Sequence, residues 1–491
     1  MERLSTLDVS NLRVEDCGLP MHVAALVILG GAPPGAGLDL DTVRTVIRRR
    51  LHLTPRLRQV LYWPRRCLGP PVWVDAAGFD IRAHVRAQPV PAPGDETELL
   101  QVCAELNTSQ MDRSRPLWQV WLLTGLAGGR AGLFIRLHHV VADGIAALAL
   151  LGALFDPDPA ATTPAAATAW APEPVPATRE LAVDELRRSA RALLRAACRV
   201  RHPSAAAATL GGLARQAGQL ARDGPAPRVS LNVPVSGHHR LLLVRADLER
   251  ARAAAHARGG TVNDLVLAAV AGGARRVLAS RGELSPGLVL MASVAASVRA
   301  AADQPTTGNR VGVMIVPLPV CEADPGRRLA LIAKATAQRK RQPPYQPSAR
   351  PLQRWMVRMM SRQRLVNLLV SNLPGPAAPL FFADTPVLEI FQFGVVQGNV
   401  TVSVGALSYA GQLNLGLVGD PDAAPDLTAF ADGISETFRQ LGALDTARSG
   451  PPSGGRSGDQ VQDRRLPLPD GPTTATISPG QIARSTPRNV G

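Results

Sequence analysis

The sequence predicts an α/β protein built in two blocks, and three observations carry that reading. The chain has 491 residues, too many for one compact core, so two or three domains are expected. Short apolar runs of strand length alternate with longer helical stretches in both halves. Between the halves lies a Pro-, Ala- and Thr-rich stretch, Asp156-Pro157-Asp158-Pro159 onward, which reads as a linker by composition.

In the first block, residues 1–155, Met21 to Gly30 is a continuous apolar run and reads as a buried strand. Leu38 to Leu53 reads as a helix with Asp39 and Asp41 at its start, and Leu99 to Leu106 as a second, shorter one. Val120–Leu123 and Leu133–His139 read as strands joined through the glycine-rich turn Gly125 to Gly132, and Ile145 to Phe155 as a helix. Residues 156–228 form the linker and an Arg-rich helical connector, ended by Asp223-Gly224-Pro225. The second block, 229–445, has helical stretches at Leu248–Ala257, Val262–Ser280 and Pro325–Gln338. Its strand candidates are Val289–Ser293, Val311–Pro317, Val387–Phe393, Val400–Val404 and Leu413–Val418. Residues 446–491, rich in Gly, Pro, Ser and Thr, read as a disordered tail.

Composition narrows the function. The formal net charge is +15, yet of 54 basic residues only Lys334 and Lys340 are lysines, and the arginines are scattered without a basic recognition helix. Nucleic-acid binding is therefore not expected; a basic surface that favours anionic headgroups and acyl-CoA phosphates is. The five cysteines are dispersed, with no C-x-x-C pair, as in a cytoplasmic protein with reduced thiols. No apolar run reaches the roughly 18 residues of a spanning helix. No metal site is expected, since no His is followed by Glu, and neither a Walker loop nor a G-x-S-x-G elbow occurs.

The segment with chemistry in it is His138-His139-Val140-Val141-Ala142-Asp143-Gly144. Four fixed positions of this kind arise by chance in such a chain only about once in a thousand. Strand alternation puts Leu133, Ile135, Leu137 and His139 on one face, and Phe134, Arg136 and His138 on the other. A neutral imidazole with an ordinary pKa near 6.5 suits general-base work at neutral pH, and His139 takes that role. His138 packs and orients the turn, and Gly144 permits a close approach or an unusual turn. Asp143 either caps the following helix or forms a dyad with a histidine. Asn263, at the start of the helix Val262–Ser280, either donates to an oxyanion or, with Asp264, caps that helix. His238-His239 lacks a following Asp-Gly and reads as structural.

The segment resembles the active-site motif of the bacterial wax ester synthase/diacylglycerol acyltransferase family, within the group that holds chloramphenicol acetyltransferase and condensation domains. Further motifs follow in the family's order. They are Leu4-Ser5-Thr6-Leu7-Asp8 with Pro20-Met21-His22-Val23, Pro55-Arg56-Leu57-Arg58, Pro116-Leu117-Trp118 and Thr261-Val262-Asn263-Asp264. Gly308-Asn309, Ser371-Asn372-Leu373-Pro374-Gly375-Pro376 and Ser408-Tyr409-Ala410-Gly411 complete the series. The sequence departs from the family at Asn11, where an aromatic is usual, and at Ala295-Ala296-Ser297-Val298-Arg299, where Pro-Val-Ser often precedes the Arg. Both departures bear on substrate choice.

The resemblance implies two chloramphenicol acetyltransferase-like subdomains, with mostly antiparallel mixed sheets flanked by helices and an active-site tunnel at their interface. It implies that Asp143 turns from the reaction and pairs with an arginine, Arg58, Arg56 or Arg299. Ser371 and Asn372 join Asn263 and Asp264 as candidates to bind substrate or the oxyanion, or else shape, with Gly375, a turn beside the tunnel. It implies transfer of a long-chain acyl group from acyl-CoA, a substrate and not a cofactor, to diacylglycerol, with fatty alcohols as further acceptors giving wax esters. The protein is then expected in the cytoplasm, at the periphery of the inner membrane or of lipid droplets. The competing readings are an acyltransferase for another alcohol and a non-catalytic lipid-binding protein.

Overall fold

The computed structural model describes residues 2–16, 19–31, 38–65, 68–141, 152–159, 170–201, 211, 218, 224–297, 311–341 and 362–444. Two six-stranded sheets organise them. The first runs β11 (Phe381–Phe382), β12 (Thr385–Phe393), β1 (His22–Leu29), β6 (Ala131–His138), β5 (Trp118–Thr124) and β4 (Val85–Pro89). The second runs β7 (Arg240–Asp247), β14 (Gln412–Gly419), β13 (Val402–Tyr409), β10 (Leu368–Pro374), β8 (Leu290–Ser297) and β9 (Val311–Leu318). Most pairs are antiparallel; β4–β5, β10–β13 and β8–β10 are parallel. A separate pair, β2 (Gln59–Tyr62) and β3 (Val72–Asp75), stands apart from both sheets.

The apolar run at Met21 is explained by where β1 sits. It lies between β12 and β6, with Ala25, Val27 and Leu29 in one core and Ala24, Leu26 and Ile28 in another. A strand covered on both faces has no polar side to show in its sequence. The helix Leu40–Arg50 begins at Asp39, whose carboxylate accepts from the Thr42 amide, and tightens at its end into a 3-10 turn, Leu51–Leu53. In the second half the helices Val262–Ser280 and Leu427–Gln440 lie together, and their apolar faces share a core with the second sheet.

Two features differ from the sequence-based expectation. Val387–Phe393 belongs to the second stretch of sequence, but its strand pairs with β1 in the first sheet, Ala25 opposite Gln392. The chain thus crosses from one sheet to the other and back. Crossing requires close backbone approach. A Cβ on Gly405 would sit 2.7 Å from the Gln392 carbonyl oxygen, and one on Gly416 only 2.3 Å from it. Glycine at both positions lets β12 pass over β13 and β14. Gln392 Nε2 then donates to the Ala406 carbonyl at 2.5 Å and to that of Ser371 at 3.4 Å, tying the sheets. Secondly, Ser371 to Pro374 do not form a turn: they continue β10, with Ser371 opposite Gly405, and the strand ends at Pro374. A Pro-Gly-Pro signal marks where a strand ends, and here the strand runs up to it.

The tail from residue 446, the helix expected at Ile145, and Asp143, Gly144, Arg299, Gly308 and Asn309 lie outside the described residues.

Candidate active site

The site is built from the end of β6. His138 is the last residue of that strand, and its amide donates to the Leu117 carbonyl at 3.0 Å. The His139 amide donates to the Met21 carbonyl at 2.8 Å, and Val141 closes the turn by donating to the carbonyl of His138. The alternation along β6 is observed: Leu133, Ile135 and Leu137 enter one core, Phe134 the opposite one. His138 is fully buried and His139 only half-buried, so the neighbouring imidazoles meet different surroundings.

The short motifs along the first half converge on this turn. Ser5 and Asp8 form a reciprocal cap at the start of the helix Thr6–Glu15. That helix ends at Glu15, whose carboxylate is buried beside both strands. His138 Nε2 lies 3.2 Å from Glu15 Oε2, and His22 Nε2 lies 3.2 Å from Oε1. His22 and His138 are opposite one another in the β1–β6 register, with their rings edge to face at 5.7 Å. Arg113 completes the group: Nε donates to Glu15 Oε2 at 2.8 Å, Nη1 to Asp16 at 2.7 Å and Nη2 to the Leu12 carbonyl at 2.9 Å. Trp118, of Pro116-Leu117-Trp118, donates its indole N–H to the carbonyl of Leu57, in Pro55-Arg56-Leu57-Arg58, and accepts at its own carbonyl from His84 Nδ1.

The hydrogen positions follow from the partners. The Val140 amide donates to His138 Nδ1 at 3.1 Å, so that nitrogen carries no hydrogen and Nε2 carries one, which it donates to Glu15. Burial opposes ionisation of Glu15, but the hydrogen bonds from His138 and Arg113, with the His22 ring close by, override it and hold the carboxyl well below the usual range. His22 moves the other way: burial drives it down to about 4, only partly offset by Glu15, so it is neutral at neutral pH. Arg136, on the His138 face of β6, is fully buried and brought down to about 10 by desolvation. It donates to the carbonyls of Leu106 and Ser109 and to Gln119, and lies over the Trp121 ring.

Of the arginines expected beside Asp143, Arg56 and Arg58 are among the described residues, while Asp143 and Arg299 are not. Arg56 pairs with Glu2, donates to Gln59 and lies 4.3 Å from the Trp73 ring centre; Arg58 lies 4.5 Å from that of Trp170. Asp264 is the capping residue of Val262–Ser280: it accepts from the amide and hydroxyl of Thr261, both at 2.8 Å, and from the buried Thr336 hydroxyl at 2.6 Å. Asn263, half-buried in the first turn of that helix, takes no part in the cap. Ser371 and Asn372 are half-buried on β10. No hydrogen bond among the described residues joins these three to His139. Glu15 and Arg113 escaped the sequence reading, and His22 entered it only as a motif letter. An acid at the end of a short helix looks like a solvated one until the β1–β6 register is known.

The wax ester synthase/diacylglycerol acyltransferase catalytic domain matches residues 4–266, and the C-terminal domain of the same family matches residues 307–442. A Mycobacterium tuberculosis protein named as a probable diacylglycerol O-acyltransferase is 31% identical over 470 residues, covering 91% of this chain and 97% of its own. The solved wax ester synthase/diacylglycerol acyltransferase from Marinobacter aquaeolei superposes with a TM-score of 0.63 at 24% identity, over 90% of this chain and 98% of that one. The first condensation domain of the calcium-dependent antibiotic synthetase does so with a TM-score of 0.59 at 17% identity, over 90% and 96% of the two chains. The fold is thus the one these two proteins share. Motifs of the first half meet at one histidine turn, and the match runs through both halves: the chain belongs to the wax ester synthase/diacylglycerol acyltransferase family.

Proposed function

We propose that the protein is an acyl-CoA-dependent O-acyltransferase that makes triacylglycerol from diacylglycerol and a long-chain acyl-CoA, and wax esters from long-chain alcohols. The observation that carries the mechanism is the division of labour at the turn: His138 is sealed and hydrogen-bonded at both ring nitrogens, while His139 is half-buried. His139 is the general base. It takes the proton of the acceptor hydroxyl as that oxygen attacks the thioester carbonyl. The tetrahedral intermediate collapses, the carbon–sulfur bond breaks, and the imidazolium returns its proton to the coenzyme A thiolate. The base needs no covalent acyl-enzyme, and acyl-CoA enters as substrate without a further cofactor. Asn263, unused by the cap beside it and set at a helix N-terminus, is the candidate donor to the oxyanion. The protein works against a lipid surface, since its acceptors are insoluble in water.

Purified protein given a long-chain acyl-CoA with diacylglycerol, or with a long-chain alcohol, should release coenzyme A and form the ester. His139→Ala should lower kcat by about 10²–10⁴-fold, the usual worth of acid–base catalysis. Full activity in the variant would refute the mechanism, and ester formation with neither acceptor would point to a different alcohol.

A further inference from the structure

The connector helix Thr178–Arg201 is turned the wrong way round for a globular protein. Its attachment to the body uses a narrow stripe. Leu181 is buried against Val72 and Val74 of β3. Arg3 clamps the same turn, donating to Asp184 at 2.6 Å and to the Leu181 carbonyl at 3.0 Å, while its other nitrogen holds the carbonyls of Leu68 and Pro70. Asp184, Glu185 and Arg188 lie on that side and are half-buried. At 3.6 residues per turn, Val183, Leu186, Ala190, Leu193 and Leu194 fall on the opposite side in one arc. All five are exposed, Leu186 by 71% and Leu193 by 72%. Three leucines and a valine therefore face outward along a single line.

Two independent features say what covers them. The helix carries seven arginines against three carboxylates, and no carboxylate follows Glu185. An apolar arc flanked by arginines complements an anionic lipid surface, in which leucines enter the acyl boundary and guanidinium groups meet phosphates. The β2–β3 pair that bears the helix also shows apolar and aromatic side chains to solvent. Trp63 is 55% exposed, and Tyr62 lies on the same strand face as Val60, which packs toward Leu181. Aromatic rings of this kind favour the headgroup level of a bilayer.

We propose that Thr178–Arg201, with Tyr62 and Trp63 beside it, is the element by which the protein docks on an anionic phospholipid surface. The helix lies in the interface plane, and Arg3 and Leu181 transmit its position to the catalytic half. The proposal deepens the lipid-acceptor reading above. It is tested without acyl-CoA, so that the two can fail separately.

The full-length protein is sedimented with vesicles of phosphatidylcholine containing phosphatidylglycerol, and with vesicles of phosphatidylcholine alone. Binding is expected to the first and to fall with added salt. Leu186→Ser combined with Leu193→Ser should weaken the partition by roughly tenfold or more, given the apolar area withdrawn from lipid. Arg187→Glu with Arg191→Glu should do the same by charge. Neither pair should shift the Tm, because all four side chains are exposed. Failure of the wild type to bind, or wild-type binding by both double variants, overturns the proposal. So does a leucine variant that turns a dimer into a monomer while binding vesicles as before, since a second copy of the chain would then cover the stripe.

Discussion

Buried Glu15 accepts from the His138 imidazole and the Arg113 guanidinium, with the His22 ring 3.2 Å from its other oxygen. The consequence for catalysis runs through His138, whose Nδ1 receives the Val140 amide and so sets the turn on which His139 stands. Glu15→Gln keeps an acceptor but removes the charge opposite Arg113. We expect kcat to fall by about 10- to 100-fold with KM little changed, the usual result when a reacting group is misplaced. The nitrogen resonances of His138 should also lose the signature of a single Nε2–H tautomer. Unchanged kcat with an unchanged tautomer would remove Glu15 from any positioning role. His22 supplies a pH dependence. Its folded value, about 4, lies below the ordinary 6.5, so between these values the unfolded chain takes up a proton that the folded chain refuses. Stability present at neutral pH is lost as pH falls through that window. Tm measured from pH about 7 to 4 should drop, and drop less steeply in His22→Gln; parallel curves for the two proteins would contradict this.

At the scale of elements, legibility followed locality. The helix Val262–Ser280 was readable to the residue from its long periodic run, although the cap expected of Asn263 and Asp264 is formed by Thr261 and Asp264. The run at Met21 was readable as a buried strand because no polar position follows His22 within it. Strands β2, β3 and β4, of four or five residues each, carried too little pattern to be seen, and β10 was obscured by the Pro-Gly-Pro that ends it. Sheet membership was not legible at all. Val387 to Phe393 announce a strand, but nothing in those residues says that β1, not β13, will receive them. The information sits in Gly405 and Gly416, which read as ordinary glycines until β12 is seen to cross them. The site divides in the same way. The histidine pair and its opposed faces follow from alternation, whereas the carboxylate that holds His138 is 123 positions away.

For the molecule as a whole, the crossover makes the two halves mutually dependent. Residues on either side of the linker share cores: Leu373, Leu407 and Tyr409 pack with the first-half residues Leu133, Ile135 and Leu137. Tyr409 receives the Leu380 amide and donates to the Val387 carbonyl, so β13 holds both ends of the segment that leads into β12. A chain ending at Gly224 would leave β1 with an open edge and these cores half-filled. Such a fragment should lack a cooperative unfolding transition when expressed alone, and should recover one when co-expressed with residues 225–491. A stably folded isolated fragment would show that the crossover is dispensable for the first sheet.

The same strand sets a clock on biosynthesis. β1 is complete once Leu29 has been made, but its partner on one side is finished only at Phe393. At about 5–20 residues per second, the nascent chain waits roughly 20 to 70 seconds with that strand unmatched. During this interval the backbone amides and carbonyls of β1 are a template for any passing strand, including another nascent copy. A cell making this enzyme quickly must therefore shield its earliest strand until the late one emerges.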